Sequence, residues 1–158
     1  MSASVRLQRE PFDVGAETAR ITHGQTGIGA VVTFTGICRG SEDGRPIVAL
    51  TLEHYPQMAE AEIERHVHDA QSRWALDAVT VIHRFGRIVP GEPIVLVVTA
   101  SSHRPDAFHA AEFLMDYLKT QAPFWKQVEY GDGTSWVAAK DQDDDAVARW
   151  QRASETAK

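Results

Sequence analysis

Five side chains in this chain stand where chemistry on an anion could be done: Arg39, His103, Arg104, Lys119 and Lys126. Four of them bracket one helical pattern. Ala107, Phe108, Ala111, Met115 and Leu118 step by three or four residues, which gathers them on one face. Pro105 suits a first helical turn and Pro123 forbids continuation, so the spacing predicts a helix from Asp106 to about Gln121. Lys119 in the last turn complements the helix dipole and commonly does no more than meet water. His103 and Arg104 are harder to account for, because the positive helix end repels cations. A helix N-terminus with a His and an Arg beside it is a place for an anion. On this stretch alone, an anion site and two solvated helix ends both stay open.

His103 and Lys119 are sixteen residues apart, roughly 22–24 Å along a straight helix. One small ligand cannot touch both within one subunit. Either there are two sites, or a symmetric dimer brings His103 and Arg104 of one copy to Lys119 and Lys126 of the other, generating two equivalent shared sites.

Other chemistries find less support. There are seven histidines, but His66 and His68 fall on opposite sides of a predicted helix, and His54 and His83 sit on predicted strands as hydrogen-bonded framework residues. No Cys-x-x-Cys, His-Glu-x-x-His or acidic calcium loop occurs, so no metal site is expected. Cys38 could be a nucleophile activated by Arg39, yet a lone strand cysteine is more often a small buried filler. Neither a nucleophile elbow nor a phosphate-cradling glycine loop is present.

A chain of 158 residues, 43% apolar, is expected to form one domain (1–158, with a disordered tail over about 151–158) around a single core. No apolar run approaches the roughly 20 residues of a membrane span. The first residues lack a secretory signal core, and a single cysteine agrees with a reducing cytoplasm. The net charge of −6 argues against a nucleic-acid partner.

The elements that must position the cations read as follows. Val5 to Leu7 is a short edge strand, and Asp13 caps a helix over Val14 to Thr22. Gly29 to Arg39, apolar on both faces, reads as a central strand with a bulge or close backbone approach at Gly36. Gly40 to Pro46 reads as a mobile loop, and Val48 to Tyr55 as the hairpin partner of that central strand. Ala59, Ile63, Val67, Ala70 and Trp74 mark a second amphipathic helix. Ala78 to Arg84 and Ile94 to Ala100 are buried strands. Phe124 to Tyr130 and Thr134 to Ala139 flank a hairpin turn at Gly131-Asp-Gly133, and a short helix ends the chain over Ala146 to Trp150. Hairpins mixed with two long helices make the class α+β.

Taken together, GAVVTFTG-x-x-R (29–39), ALTLEHYPQMAE (49–60), VTVIHRFGRIVPGE (79–92), SSHRPDAF (101–108) and MDYLKTQAPFWK (115–126) resemble the molybdopterin synthase catalytic (large) subunit family, in order from about Phe12 to Trp150. The resemblance implies a mixed, largely antiparallel sheet packed with two long helices, hammerhead-like, with a small β-hairpin subdomain. It implies a cytoplasmic sulfurtransferase of molybdenum cofactor biosynthesis, with no cofactor or metal of its own. Its partner is a small ubiquitin-like sulfur carrier whose Gly-Gly tail bears a thiocarboxylate, and the assembly is a homodimer within a heterotetramer. The substrate is cyclic pyranopterin monophosphate, which receives the two dithiolene sulfurs. By position, the resemblance makes Lys119 and Lys126 catalytic and assigns Arg39, His103, Arg104, Phe34, Met115 and Lys140 to substrate binding. Lys126 is expected to move protons, its charge weakened by neighbouring cations.

Two departures stand out. Gln127 replaces a second basic residue common in the family, and Lys140 stands where an arginine is common, giving charge without bidentate phosphate binding. Cys38 matches no family motif. The rival reading is a non-enzymatic module that binds a phosphorylated ligand; it needs no Gly-Gly-tailed partner, so a pulldown for one separates the two.

Overall fold

The computed structural model describes residues 2–137 and 145–151. Two sheets share the work. The first has the order β1-β5-β7-β2, formed by β1 (Ser2–Gln8), β5 (Ala78–Arg84), β7 (Pro93–Ser101) and β2 (Ala30–Ile37). Only the β1–β5 pair is parallel. The second has the order β3-β4-β8-β9, from β3 (Ser41–Glu42), β4 (Arg45–His54), β8 (Phe124–Tyr130) and β9 (Gly133–Val137), with β6 (Gly86–Ile88) also paired to β4.

Two long helices, α2 (Pro56–Arg73) and α3 (Arg104–Thr120), cover one face of the first sheet. Ile63 and Val67 of α2 and Phe113 and Leu114 of α3 meet Val79, Val81, Val95 and Val97 in the main core. The other face, at Ile82, Leu96 and Val98, is covered by α1 (Val14–Thr22) through Val14 and Ile21. All seven residues of β5 are buried, as expected of a strand sandwiched between helices. A third cluster, Cys38, Leu50, Leu52 and Ile88 with Ile94, joins the sheets. A short helix over 145–151 (α4) docks on α3: Trp150 donates from Nε1 to Asp116, and Arg149 reaches Asp116 and Glu112.

Most element expectations hold. Asp13 caps α1 by accepting from the Ala16 N–H at 2.9 Å, and β1 is an edge strand. Pro105 lies in the first turn of α3, and β8 and β9 form the expected hairpin. Residues 138–139, within the expected last strand, lie outside the described residues, as do 152–158 of the expected tail.

Four expectations need correction. The strand over Gly29 to Arg39 is not central: among the described residues β2 pairs with β7 alone and forms a sheet edge, leaving Phe34 and Ile37 40% and 56% exposed. Nor does it pair with the strand that follows, because β4 pairs with β8 in the second sheet. Two-sided apolar patterning reports that both faces want cover, not which strand or copy supplies it. Gly40 to Pro46 is a hairpin, in which Asp43 (φ 51°) and Gly44 (φ 78°) make the tight turn from β3 into β4. Finally, Phe108 is 59% exposed and stands off the buried face of α3, where Phe113 and Tyr117 take its place. At Gly36 the register shifts, leaving Ile94 of β7 as the unpaired residue, and a Cβ at Gly36 would lie 2.8 Å from Val95 Cγ1, a close approach.

No helix among the described residues is long and apolar enough to cross a membrane.

Candidate active site

Three chain segments bring their cations to one place. Beyond the β2 bulge, Arg39 follows buried Cys38, whose N–H and C=O bond to Glu92 and Gly91. Lys119 sits in the last turn of α3. Lys126 projects from β8, opposite Leu52 of β4. All three line a cavity of about 410 Å3, together with Phe34, Met115 and His83. Arg39, Lys119, Lys126, Phe34 and Met115 are therefore brought together as anticipated.

His103 and Arg104 are not among the residues lining this cavity. They are exposed at the far end of α3, where His103 is the N-terminal cap residue without a side-chain capping bond. The preceding serines are anchored: Ser101 donates its hydroxyl to the Ala75 carbonyl and Ser102 to that of Gly27. Lys140 lies outside the described residues.

Two residues that sequence reasoning did not assign to the site bear on it, one lining the cavity and one paired with a lysine that does. The first is His83. Its Nδ1 lies 2.8 Å from the Arg84 carbonyl oxygen, which can only accept, so Nδ1 carries the proton and Nε2 keeps its lone pair. Burial lowers the imidazole to about 4, against the bond to Arg84, with His54 and Lys119 adding to the fall. The ring is neutral at pH 7 and stacks on Phe124 with centroids 4.0 Å apart, while His54 stacks on Phe124 at 5.5 Å. The hydrogen-bonded framework role is present for His83, which also lines the cavity, whereas His54 is held by ring contacts with Phe85 and Phe124.

The second is Glu42, whose Oε1 lies 3.5 Å from Lys126 Nζ. Lys126 was expected among cations, and its ion-pair partner is a carboxylate. The sequence signal for it is the Asp43-Gly44 dipeptide, a hairpin cue that turns β3 into β4, the strand that pairs with β8.

Cys38 is 2% exposed in the core between the sheets, and burial, then Glu92, pushes its thiol up. That is the buried filler anticipated. His66 is buried and His68 exposed on α2, and among the described residues no three His, Cys, Asp or Glu side chains gather where they could hold a metal ion. The site is a partly apolar cavity with three cations and a neutral imidazole. It suits an anionic ligand whose charge is held while part of it lies against Phe34 and Met115.

An α+β chain with a cationic cavity between a helix C-terminus and two sheets is thus suited to receiving an anionic ligand. Residues 7–121 match the MoaE protein family, and the chain belongs to that family. It is 56% identical over 151 residues, 94% of this chain and 96% of the other, to a molybdopterin synthase catalytic subunit of Rhizobium meliloti (strain 1021). The molybdopterin biosynthesis MoaE protein from Burkholderia ambifaria MC40-6 has the same fold, with a TM-score of 0.81, 44% identity and coverage of 94% of this chain and 98% of that one. The fold also matches the complex of subunits 1 and 2 of molybdopterin-converting factor from Helicobacter pylori 26695, at TM-score 0.67 and 21% identity, over 89% and 91% of the two chains. The family is one of enzymes, the catalytic subunits of molybdopterin synthase.

Proposed function

We propose that this chain converts cyclic pyranopterin monophosphate to molybdopterin, taking both dithiolene sulfurs from the C-terminal thiocarboxylate of a small ubiquitin-like carrier protein. The observation that carries this reading is the convergence of Arg39, Lys119 and Lys126 on one cavity. Substrate phosphate and incoming tail are both anionic, and a chain of net charge −6 must concentrate cations locally to receive them. The Helicobacter pylori complex of two converting-factor subunits supports a small protein partner.

In the reaction, the thiocarboxylate sulfur forms a bond to a substrate carbon as a carbon–oxygen bond at that carbon breaks, the oxygen leaving as water or as the freed phosphate oxygen, and the tail stays joined to substrate through an acyl–sulfur linkage. Water then adds to the acyl carbon. Collapse of that tetrahedral adduct breaks the acyl–sulfur bond, leaving sulfur on the substrate and a carboxylate on the carrier. Lys119 stabilises the oxyanion of the adduct, and Arg39 holds phosphate or pterin oxygens. Lys126 supplies the second charge at the tail and is the candidate proton carrier. The nucleophilic sulfur arrives with the partner, so buried Cys38 is not needed.

His103 and Arg104 join the site from the second subunit of a homodimer, within a heterotetramer carrying one small subunit at each end. The length of α3 and the exposed apolar edge of β2 support that arrangement. Lys140 contributes charge to the same substrate. We read the chain as a single domain acting in the cytoplasm.

The test is Lys119→Ala. It is expected to abolish dithiolene formation from thiocarboxylated carrier and substrate, with circular dichroism and subunit assembly unchanged. Near-normal product formation would refute the role of Lys119.

A further inference from the structure

From the geometry around the β3–β4 hairpin, we infer that Glu42 is a positioning residue for Lys126, a carboxylate held out of water to fix the ammonium at the cavity wall. The inference rests on the reading of Lys126 as part of the reaction site. Glu42 is 7% exposed, while Lys126 is about one-third exposed and lines the cavity; their charged atoms lie 3.5 Å apart. An exposed pair at this distance would signify little. A buried carboxylate is different, because desolvation makes it costly and apolar side chains of similar size commonly serve stability as well or better. An acid retained at such a position calls for a use, and the lysine at its tip supplies one.

The hairpin is built to hold that acid in place. Asp43 and Gly44 turn the chain in two residues, and Ile47 donates its N–H to the Gly40 carbonyl at 2.9 Å across the base. At the tip, Arg45 pairs with Asp132 at 2.8 Å and lies 3.8 Å over the Tyr130 ring, fastening the hairpin to β8 and the β8–β9 turn. Lys126 is on the same strand β8. Acid and lysine thus belong to two elements pinned to each other. A lysine has four rotatable bonds and, without a partner, would sweep the cavity mouth.

A double-mutant cycle tests the inference, using the large subunit with thiocarboxylated carrier and substrate in single-turnover sulfur transfer. Glu42→Gln keeps shape and removes the charge. It is expected to slow transfer about tenfold, within the range shown by coupled neighbours, with little change in substrate KM. In a Lys126→Ala background the same substitution is expected to cost nothing further, and Glu42→Asp should recover part of the rate. A wild-type rate for Glu42→Gln, with Lys126→Ala slow, overturns the role of Glu42 alone. So does a full additional tenfold loss in the double variant, which marks a structural effect not routed through Lys126. A wild-type rate for Lys126→Ala overturns the site reading itself, and the positioning role with it.

Discussion

The imidazole of His83 shows how one side chain is committed by its surroundings. Its Nδ1 proton goes to the Arg84 carbonyl, its face to Phe124, and burial holds it at about 4, well below the ordinary 6.5. The unfolded chain therefore binds a proton here at pH values where the folded chain does not. Stability from this group is complete above about pH 6.5, is lost as pH falls toward 4, and levels off below that. The full difference is on the order of 3–4 kcal/mol, since each pKa unit is worth about 1.4 kcal/mol. Urea unfolding between pH 7 and 4 should show this slope, and His83→Phe should flatten that part of it. An unchanged pH dependence in the variant would mean that other groups carry the slope. A neutral imidazole also leaves the positive charge of the cavity to Arg39, Lys119 and Lys126, which the anion needs close at hand.

The elements matter through where they touch. The first residues of β2 run against the segment that leads into α3: Gly29 donates its N–H to the Ser101 carbonyl at 2.9 Å, and a Cβ at Gly29 would collide with the Ser102 carbonyl oxygen. A backbone oxygen cannot swing aside as a side-chain end can. Gly29→Ala is expected to destabilise the fold by about 1–3 kcal/mol, the usual cost of overpacking, measured by urea denaturation. Because the strain falls beside His103 and Arg104, anion binding at that helix end should weaken as well. At the other end of the same strand, the chain leaves the first sheet after Ile37 and enters the second at Ser41. Arg39 lies in that crossing and lines the cavity. The strand thus touches both basic clusters, one at each end, which a helix of 17 residues otherwise keeps apart.

On the scale of the whole molecule, one chain holds Arg39, Lys119 and Lys126 together and leaves His103 and Arg104 roughly 24 Å away along α3. If the reaction site is shared across a dimer, His103→Ala and Lys119→Ala proteins, each inactive, should form mixed dimers with one intact site. Recovery of up to one-quarter of wild-type activity is expected after statistical subunit exchange, since half the dimers are mixed and each has one of two sites whole. No recovery, with exchange confirmed by mass spectrometry, would refute sharing. The residue periodicity of α2 and α3, the Asp13 cap, the Gly131-Asp132 turn and the basic residues around α3 were all legible without coordinates, because each is dictated by spacing within a few residues. The family resemblance rested on the same ordered motifs, and the MoaE match bears it out. Beyond the β8–β9 hairpin, pairing was not legible: β2 and β4 are hydrophobic strands close in sequence, yet they belong to different sheets. Strand pattern states which faces need burial, whereas the partner is settled by how all the layers pack at once. The same holds for Glu42, one acid among 22 Asp and Glu residues, which meets Lys126 only because a two-residue turn and a strand 84 positions away share a wall. Spacing along the chain determined which residues could bind an anion; the tertiary fold decided which of them do so together, because convergence is a property of long-range packing.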